Sequence, residues 1–344
     1  MTPLRIAIAG AGVIGRTHIA AALAEPACLL VGIADADAAA REAAPAGDVP
    51  RFADLAPLLA AARPEAVILA TPNALHVPQA LACIARGLPV LVEKPVADTV
   101  ADAAALAEAA ARAGVPVLVG HHRRHNPIIA RARELIAGGR LGRVLTATVL
   151  CNLCKPDAYF DVAWRRQKGG GPVLINLIHE IDLLRHLLGE IDGVQALTAH
   201  HGRALPVEDT AAVLLRFAAG TLATVTLSDA TPAPWSWDLA AGENPAFRGA
   251  PAPAHMFAGT DASLSLPDLT LWHYPGARGW HAELAQQPMA PAHGDPYAAQ
   301  LRHFIAVARG TAAPLVSADD AARTLAATIA VHRAAAGGAS VCPN

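Results

Sequence analysis

The chain has 344 residues, of which 53% are hydrophobic and 16% are charged, with a formal net charge of −2. This length and composition predict about two domains with large buried cores and exclude a disordered chain. The balanced charge offers no basic surface for nucleic acid, and no apolar run reaches the roughly 18 residues of a membrane helix. Five scattered cysteines argue against a disulfide framework. We expect a soluble, cytoplasmic protein that binds neither nucleic acid nor membranes.

A glycine-rich turn follows the first predicted strand. Leu4–Ala9 is a short apolar run, and a helical pattern extends from Val13 to about Glu25. Between strand and helix, the G-x-G-x-x-G spacing supplies a tight turn, close backbone approach to a pyrophosphate, and a helix N-terminus that accepts phosphate charge. The predicted phosphate-binding residues are Gly10, Gly12, Val13, Ile14 and Gly15.

An acidic residue ends the second predicted strand. Asp35 follows the apolar run 29–34 and stands 20 residues after Gly15, where a carboxylate binds the adenosine ribose in dinucleotide-binding folds. Ala36 comes next, with no adjacent arginine for a 2′-phosphate. The sequence therefore favours NAD over NADP as cofactor.

Strands and helices continue to alternate as far as Gly120. Predicted strands at 66–70, 90–92 and 115–120 are separated by predicted helices at 76–86 and 99–113. This βαβ series predicts a Rossmann-type, doubly wound parallel sheet over residues 1–121.

A further motif, Glu93-Lys94-Pro95, follows the predicted strand 90–92. Only three of the chain's 27 basic residues are lysines, and lysine, unlike arginine, can lose its proton when it is desolvated. The charges fall at the carboxyl end of a predicted strand, where α/β sheets bind their ligands. Two interpretations stay open: Lys94 is an acid/base residue, or it belongs to an ordinary ion pair at a strand end.

The pattern changes after Gly120, and residues 122–344 predict a second, α+β domain. A helix is expected from Asn126-Pro127 to about 137 and another over 174–188, closed by Gly189. Strand-like segments crowd the stretch between them and beyond, which predicts a large, mostly antiparallel open sheet. These segments are 143–150, 194–199, 210–217, 221–228, 235–240, 264–266 and 269–274. An irregular loop over 241–255, a linker over 288–296 and two helices, 296–308 and 317–336, complete the prediction.

Four motifs in this order resemble the Gfo/Idh/MocA oxidoreductases. They are the glycine run 10–15, the segment 71–76, the Glu-Lys-Pro motif, and Gly169-Gly170-Gly171 leading to His179. The resemblance covers essentially the whole chain. It implies an NAD(P)-dependent dehydrogenase acting on a secondary alcohol of a sugar, cyclic polyol or related hydroxy acid. It also implies a homodimer or homotetramer built on the C-terminal sheet.

The resemblance also assigns roles by position. Lys94 and His179 match the catalytic lysine and histidine of the family, and no metal is expected. Cofactor contacts on the nicotinamide side are implied for Thr71, Pro72, Asn73, His76, Glu93 and Lys94. Substrate contacts are implied for Arg123, Arg124, Trp164, Arg165, Asn176 and His179.

One position departs from the family pattern. Many relatives carry an aspartate four residues before the histidine, where this chain has Ile175, with Asn176 next to it. A helix advances 100° per residue, so Asn176 need not point where the aspartate would. In the expected reaction a substrate hydroxyl between the two domains loses its proton as hydride passes to NAD. Whether Lys94 or His179 takes that proton stays open.

The resemblance leaves two alternative functions, because the family also contains NAD-dependent glycosidases with no net redox change and a non-catalytic sugar sensor. The presence of both Lys94 and His179 argues against the sensor.

Overall fold

The computed structural model describes residues 2–244, 246–289 and 294–343. The chain forms two compact units. The first contains Met1–His125 and Asp295–Leu325, and the second contains Asn126–Gly294 and Ala326–Asn344. The segment 295–325 near the C-terminus thus returns to the first unit. The domain boundary drawn along the sequence at residues 121 and 122 stays a prediction.

The first unit contains a six-stranded parallel sheet. Its strands are β1 Leu4–Ala9, β2 Cys28–Ala34, β3 Arg51–Phe52, β4 Ala66–Leu69, β5 Val90–Val92 and β6 Val117–Val119. Their order is β3-β2-β1-β4-β5-β6, which is the order of the Rossmann fold. β1, β4, β5 and β6 are almost wholly buried, as expected for a parallel sheet covered on both faces. The predicted doubly wound sheet is confirmed.

The second unit contains an eight-stranded sheet. Its strands are β7 Val144–Asn152, β8 Ile191–Ala199, β9 Thr210–Phe217, β10 Leu222–Ser228, β11 His255–Gly259, β12 Ala262–Leu266, β13 Thr270–His273 and β14 Ala285–Pro288. The order is β14-β13-β12-β11-β7-β10-β9-β8, and only the β7–β10 pair is parallel. The predicted, mostly antiparallel open sheet is confirmed.

The α-helices begin and end largely where their capping residues predict. They are α1 Val13–Ala24, α2 Ala38–Glu42, α3 Leu55–Ala62, α4 His76–Ile84, α5 Val100–Ala113, α6 Pro127–Ala137, α7 Ile178–Leu188, α8 Trp237–Ala240, α9 Pro296–Ala308 and α10 Ala318–Gly337. The Thr99 and Asn126 side chains accept backbone N–H groups at the starts of α5 and α6. None of the described helices combines the length and apolar character that a membrane span requires.

One predicted strand is wrong. Residues 235–240 alternate tryptophan with polar residues, but Trp237–Ala240 forms the one-turn helix α8. The Ser236 hydroxyl accepts the Leu239 N–H, and the Trp237 side chain is buried in the core of the second unit. A helix cap and a core position therefore override the alternating pattern. Residue 245 of the predicted loop and residues 290–293 of the predicted linker lie outside the described residues.

Candidate functional site

The glycine turn after β1 has the geometry that a dinucleotide requires. Gly10 has a φ of 99°, and a Cβ there would lie 2.2 Å from the Ala70 carbonyl oxygen. A Cβ at Gly15 would lie 2.1 Å from the Gly10 carbonyl oxygen. By contrast, a Cβ at Gly12 would meet nothing within 4 Å. Two glycines therefore allow tight packing within the turn, and the third leaves open space where a pyrophosphate can approach the N-terminus of α1, Val13–Ala24.

Asp35 is fixed beside this turn. Its Oδ2 accepts the Ala11 N–H at 2.6 Å and its Oδ1 accepts the Asp37 N–H at 2.9 Å. The carboxylate thus lies at the carboxyl end of β2, next to the glycine turn, which is where it can bind ribose hydroxyls. The structure also places Arg41 here, because its Nη1 donates to the Asp35 carbonyl oxygen at 2.7 Å. The sequence analysis considered only the position next to Asp35 and therefore missed this arginine.

His76 connects the ends of two neighbouring strands. Its Nδ1 lies 2.8 Å from the Pro95 carbonyl oxygen and its Nε2 lies 2.8 Å from the Thr71 carbonyl oxygen. Burial lowers the pKa of His76, although both carbonyls and nearby carboxylates act in the opposite direction. The imidazole therefore holds the Thr71-Pro72-Asn73 segment against the Glu-Lys-Pro segment, while the Thr71 hydroxyl donates to Gln79.

Glu93 is a buried carboxylate directly behind Lys94. The Glu93 side chain is paired with His18 from α1, with 2.8 Å between Oε1 and Nε2, and its Oε2 accepts the Lys94 backbone N–H at 3.2 Å. Burial alone would raise the pKa of Glu93, but the hydrogen bond and charge of His18, together with His122 and Lys94, outweigh burial and lower it. A buried, ionised carboxylate is thus held next to the candidate catalytic lysine.

Sequence analysis missed His18. The signal was its place on the helix that follows the glycine turn, three residues after Gly15, but the partner 75 residues away could not be inferred.

Arg123 and Arg124 lie in the short 3₁₀ turn His122–His125 that follows β6. Both are buried. The Arg124 guanidinium forms an ion pair with Asp320 at 2.6 Å, and the His122 ring stacks on Tyr297 with 4.4 Å between centroids. At least Arg124 therefore has a structural partner within the first unit, in addition to its predicted role near the substrate.

In the second unit, the glycine run 169–171 allows three segments to pack closely. A Cβ at Gly170 would lie 2.4 Å from the Trp164 carbonyl oxygen, and one at Gly171 would lie 2.2 Å from the Glu208 Oε1. Glu208 also accepts the Val173 N–H at 3.2 Å. The run is thus pressed between the turn that carries Trp164 and the loop before β9.

A π-helical turn, Val173–Leu177, joins this run to α7. A π turn contains more residues than an α turn and is frequent at functional sites, so the spacing of a regular helix does not apply between Ile175 and His179. His179 lies buried in the first turn of α7. The buried Asn176 Oδ1 has no hydrogen-bond partner among the described residues. Buried polar atoms usually have a partner, so this oxygen is available to accept a hydrogen bond from a ligand.

Trp164 and Arg165 lie in the 3₁₀ turn Ala163–Arg166. The Trp164 side chain is 48% exposed, and the Arg165 Nη1 donates to the Tyr159 carbonyl oxygen at 2.8 Å. The predicted residues thus form one group at the strand ends of the first unit and another beside the glycine run of the second.

Comparison with known proteins identifies the class that this fold and these motifs define. A profile of the oxidoreductase family with an NAD-binding Rossmann fold matches residues 4–121, and the profile of its C-terminal α/β domain matches residues 133–342. The chain therefore belongs to the Gfo/Idh/MocA oxidoreductase family. The resemblance seen in the sequence and the predicted NAD-binding domain are confirmed.

Individual relatives agree with this membership. The chain is 33% identical to inositol 2-dehydrogenase of Mycolicibacterium gilvum over 227 residues, which is 64% of this chain and 63% of that protein. It is 39% identical to 4-carboxy-2-hydroxymuconate-6-semialdehyde dehydrogenase of Sphingobium over 140 residues, which is 40% of this chain and 44% of that protein. The matched segments thus span less than two thirds of these relatives.

A solved structure matches over nearly the full length. The WlbA dehydrogenase of Bordetella pertussis, crystallised with NADH and UDP-GlcNAcA, has 25% sequence identity and a TM-score of 0.79, and the match covers 99% of this chain and 98% of that chain.

Proposed function

We propose that this protein is an NAD-dependent dehydrogenase that oxidises a secondary alcohol of a sugar, a cyclic polyol or a related hydroxy acid, or reduces the matching ketone. The observation that carries the proposal is Lys94 at the carboxyl end of β5, backed by the buried Glu93–His18 pair. It lies in the same unit as the glycine turn that fits a dinucleotide.

The bound cofactor would supply the hydride acceptor as NAD or the hydride donor as NADH. Gly10, Gly12, Val13, Ile14 and Gly15 would hold its pyrophosphate, and Asp35 its adenosine ribose. Thr71, Pro72, Asn73, His76, Glu93 and Lys94 would form the nicotinamide side. The Asp35 carboxylate beside Ala11 supports NAD over NADP, because a 2′-phosphate would meet its negative charge.

The chain's own residues would move the proton. Lys94 and His179 are the two candidates to take it from the substrate hydroxyl, and the one that stays protonated would stabilise the developing alkoxide. Arg123, Arg124, Trp164, Arg165 and Asn176 would orient the substrate. The Asn176 Oδ1 atom supports this role, because it has no hydrogen-bond partner among the described residues and a sugar hydroxyl could donate to it.

The experiment is a substrate panel followed by NADH absorbance at 340 nm. Purified protein is incubated with NAD or NADP and with sugars, inositols, sugar acids and cyclic hydroxy acids, and separately with NADH or NADPH and the corresponding ketones. We expect NAD reduction with one substrate class and much slower NADP reduction. If NAD binds but no substrate is oxidised and no ketone is reduced, the dehydrogenase proposal is wrong and a net-neutral enzyme or a sensor becomes the better account.

We also propose a homodimer or homotetramer formed through the C-terminal sheet. The outward face of the β8–β9–β10 ladder exposes Leu197, Leu214 and Leu222, with Leu197 72% exposed. Exposed leucines that share one sheet face are typical of an interface between subunits. Light scattering should give the mass of a dimer or tetramer for wild type and a smaller mass for Leu214→Glu. A monomeric wild type would contradict the proposed oligomer. None of the five cysteines forms a disulfide bond in the described residues, which supports our proposal of a cytoplasmic location.

A further inference from the structure

The Arg165 guanidinium is fixed by aromatic rings and a carbonyl oxygen. Its Cζ lies 4.0 Å from the centroid of the Tyr159 ring and 5.6 Å from that of Trp164. Its Nη1 donates to the Tyr159 carbonyl oxygen at 2.8 Å. The plane of an arginine held in this way is oriented in advance, so little side-chain freedom is lost when it binds a further group.

Two cations near Arg165 have a carboxylate partner, whereas Arg165 has none among the described residues. The Lys155 Nζ lies 3.0 Å from one Asp229 oxygen and the Arg203 Nε lies 3.5 Å from the other. In the described part of the chain, no carboxylate lies within ion-pair distance of Arg165, and its buried Nε has no hydrogen-bond partner. A buried donor without an acceptor carries a free-energy penalty that a ligand can remove.

Carboxylates near this group are otherwise engaged. The buried Asp209 accepts the Arg203 backbone N–H and the Thr210 hydroxyl, each at 2.8 Å. Asp157, which lies 3.4 Å from the Arg203 Nη1, is fully exposed. Neither of these carboxylates forms an ion pair with Arg165, so the guanidinium can still pair with the carboxylate of a ligand.

Arg165 lies beside the segment that leads to His179. A Cβ at Gly170 would lie 2.7 Å from the Arg165 Cα, so the glycine run packs directly on the turn that carries the arginine. The π turn Val173–Leu177 follows this run and continues into α7. An anion bound by Arg165 would thus lie next to the segment that positions Asn176 and His179.

We infer that Arg165 binds a carboxylate of the substrate, which makes the substrate a hydroxy acid rather than a neutral polyol. The inference rests on the proposed dehydrogenase function and narrows its substrate class. The guanidinium fork matches the two oxygens of a carboxylate, and its charge strengthens both hydrogen bonds. The Tyr159 and Trp164 rings would hold the fork in place without neutralising it.

The test compares acids with neutral molecules of the same or a closely related carbon skeleton. NAD reduction is measured with D-gluconate and D-glucitol, D-galacturonate and D-galactose, and quinate and myo-inositol. We expect wild type to prefer one acid over its neutral partner. Arg165→Gln should lower kcat/KM for that acid by about 10- to 100-fold, chiefly through KM, because charge-assisted hydrogen bonds are lost. The neutral partner should lose clearly less, so that the acid-to-neutral ratio of kcat/KM falls by about tenfold or more, and Arg165→Lys should retain part of the preference.

Arg166→Gln is the matched control, since Arg166 is the exposed neighbour in the same turn, and its acid preference should equal that of wild type. A purely structural role of Arg165 would lower both substrates' rates and the Tm together. The inference is overturned if wild type oxidises neutral polyols as well as acids or better, or if Arg165→Gln leaves the preference unchanged. Failure of the whole panel refutes the dehydrogenase proposal as well, whereas activity confined to neutral substrates refutes only the carboxylate inference.

Discussion

Each of the two candidate catalytic residues has a buried glutamate as its neighbour in the chain, and each glutamate is bound by a histidine. Glu93 precedes Lys94 and pairs with His18 at 2.8 Å. Glu180 follows His179 and pairs with His255 at 2.6 Å. The surroundings of the two pairs differ. Glu93 also accepts the Lys94 backbone N–H, whereas the His255 ring lies in the core, edge-on to Trp237 and stacked with Phe257.

This difference separates two uses of the same chemical pair. In the first unit, the pair places a negative charge at a strand end that faces the predicted cofactor site. In the second unit, Glu180 and His255 are 0% and 1% exposed, and the pair fixes α7 to strand β11. We therefore expect the first pair to affect catalysis and the second to affect stability.

The largest expected effect comes from Lys94 itself. Lys94→Met should lower kcat by about 10³-fold or more, because both proton transfer and alkoxide stabilisation are lost. The Kd for NADH, measured by fluorescence titration, should change by less than about tenfold. A variant with near-normal kcat would remove Lys94 from the mechanism and, with it, the reason for contrasting the two pairs.

His18 tests whether the first pair acts on the site. His18→Gln should lower kcat by roughly 10- to 100-fold and move the pH–rate profile, because Glu93 loses the partner that positions its charge behind Lys94. His255→Gln is the matched variant from the second pair, and its kcat per folded molecule should stay within about twofold of wild type. Equal losses of kcat in the two variants would contradict the comparison.

The Glu180–His255 pair should instead affect the free energy of unfolding. His255→Ala should lower the free energy of unfolding by about 3–5 kcal/mol, since it leaves the Glu180 carboxylate buried without this partner. Urea unfolding followed by circular dichroism measures the loss. A change below about 1 kcal/mol would show that the core does not depend on the pair.

The smallest effect concerns pH. Burial depresses the pKa of His76 below its ordinary 6.5, so the folded state binds this proton less readily than the unfolded state. Neutral His76 therefore contributes fully to the free energy of unfolding above pH 6.5. This contribution is lost as pH falls through the folded-state pKa, and the free energy of unfolding decreases by up to about 1.4 kcal/mol per pH unit. Urea unfolding between pH 7.5 and 5 should show this slope in wild type and a weaker one in His76→Gln. Identical slopes would contradict it.

The sequence predicts the parts of the molecule that are set by local rules. The glycine turn 10–15, the caps at Thr99 and Asn126, and the parallel series of buried strands follow from residue type and spacing. The strand predicted over 235–240 is wrong because core burial of Trp237 is a tertiary effect.

The features that sequence could not supply depend on distant partners. The His18–Glu93 and Glu180–His255 pairs each join residues 75 positions apart, and only the folded chain brings them together. The π turn before His179 begins at Val173, whose N–H donates to the side chain of the distant Glu208. Arg165 could be selected from its motif, but only the folded positions of Asp229 and Asp209 show that neither pairs with it.

Hydride transfer is tested most directly with a substrate deuterated at the carbinol carbon. The best substrate of the panel is prepared in this form and incubated with NAD, and the reduced cofactor is analysed by mass spectrometry. The account predicts that the deuterium appears in NADH at one position and that Lys94→Met forms almost none. Product formation with unlabelled NADH, or with no NADH released, would contradict a dehydrogenase that takes hydride from the carbinol.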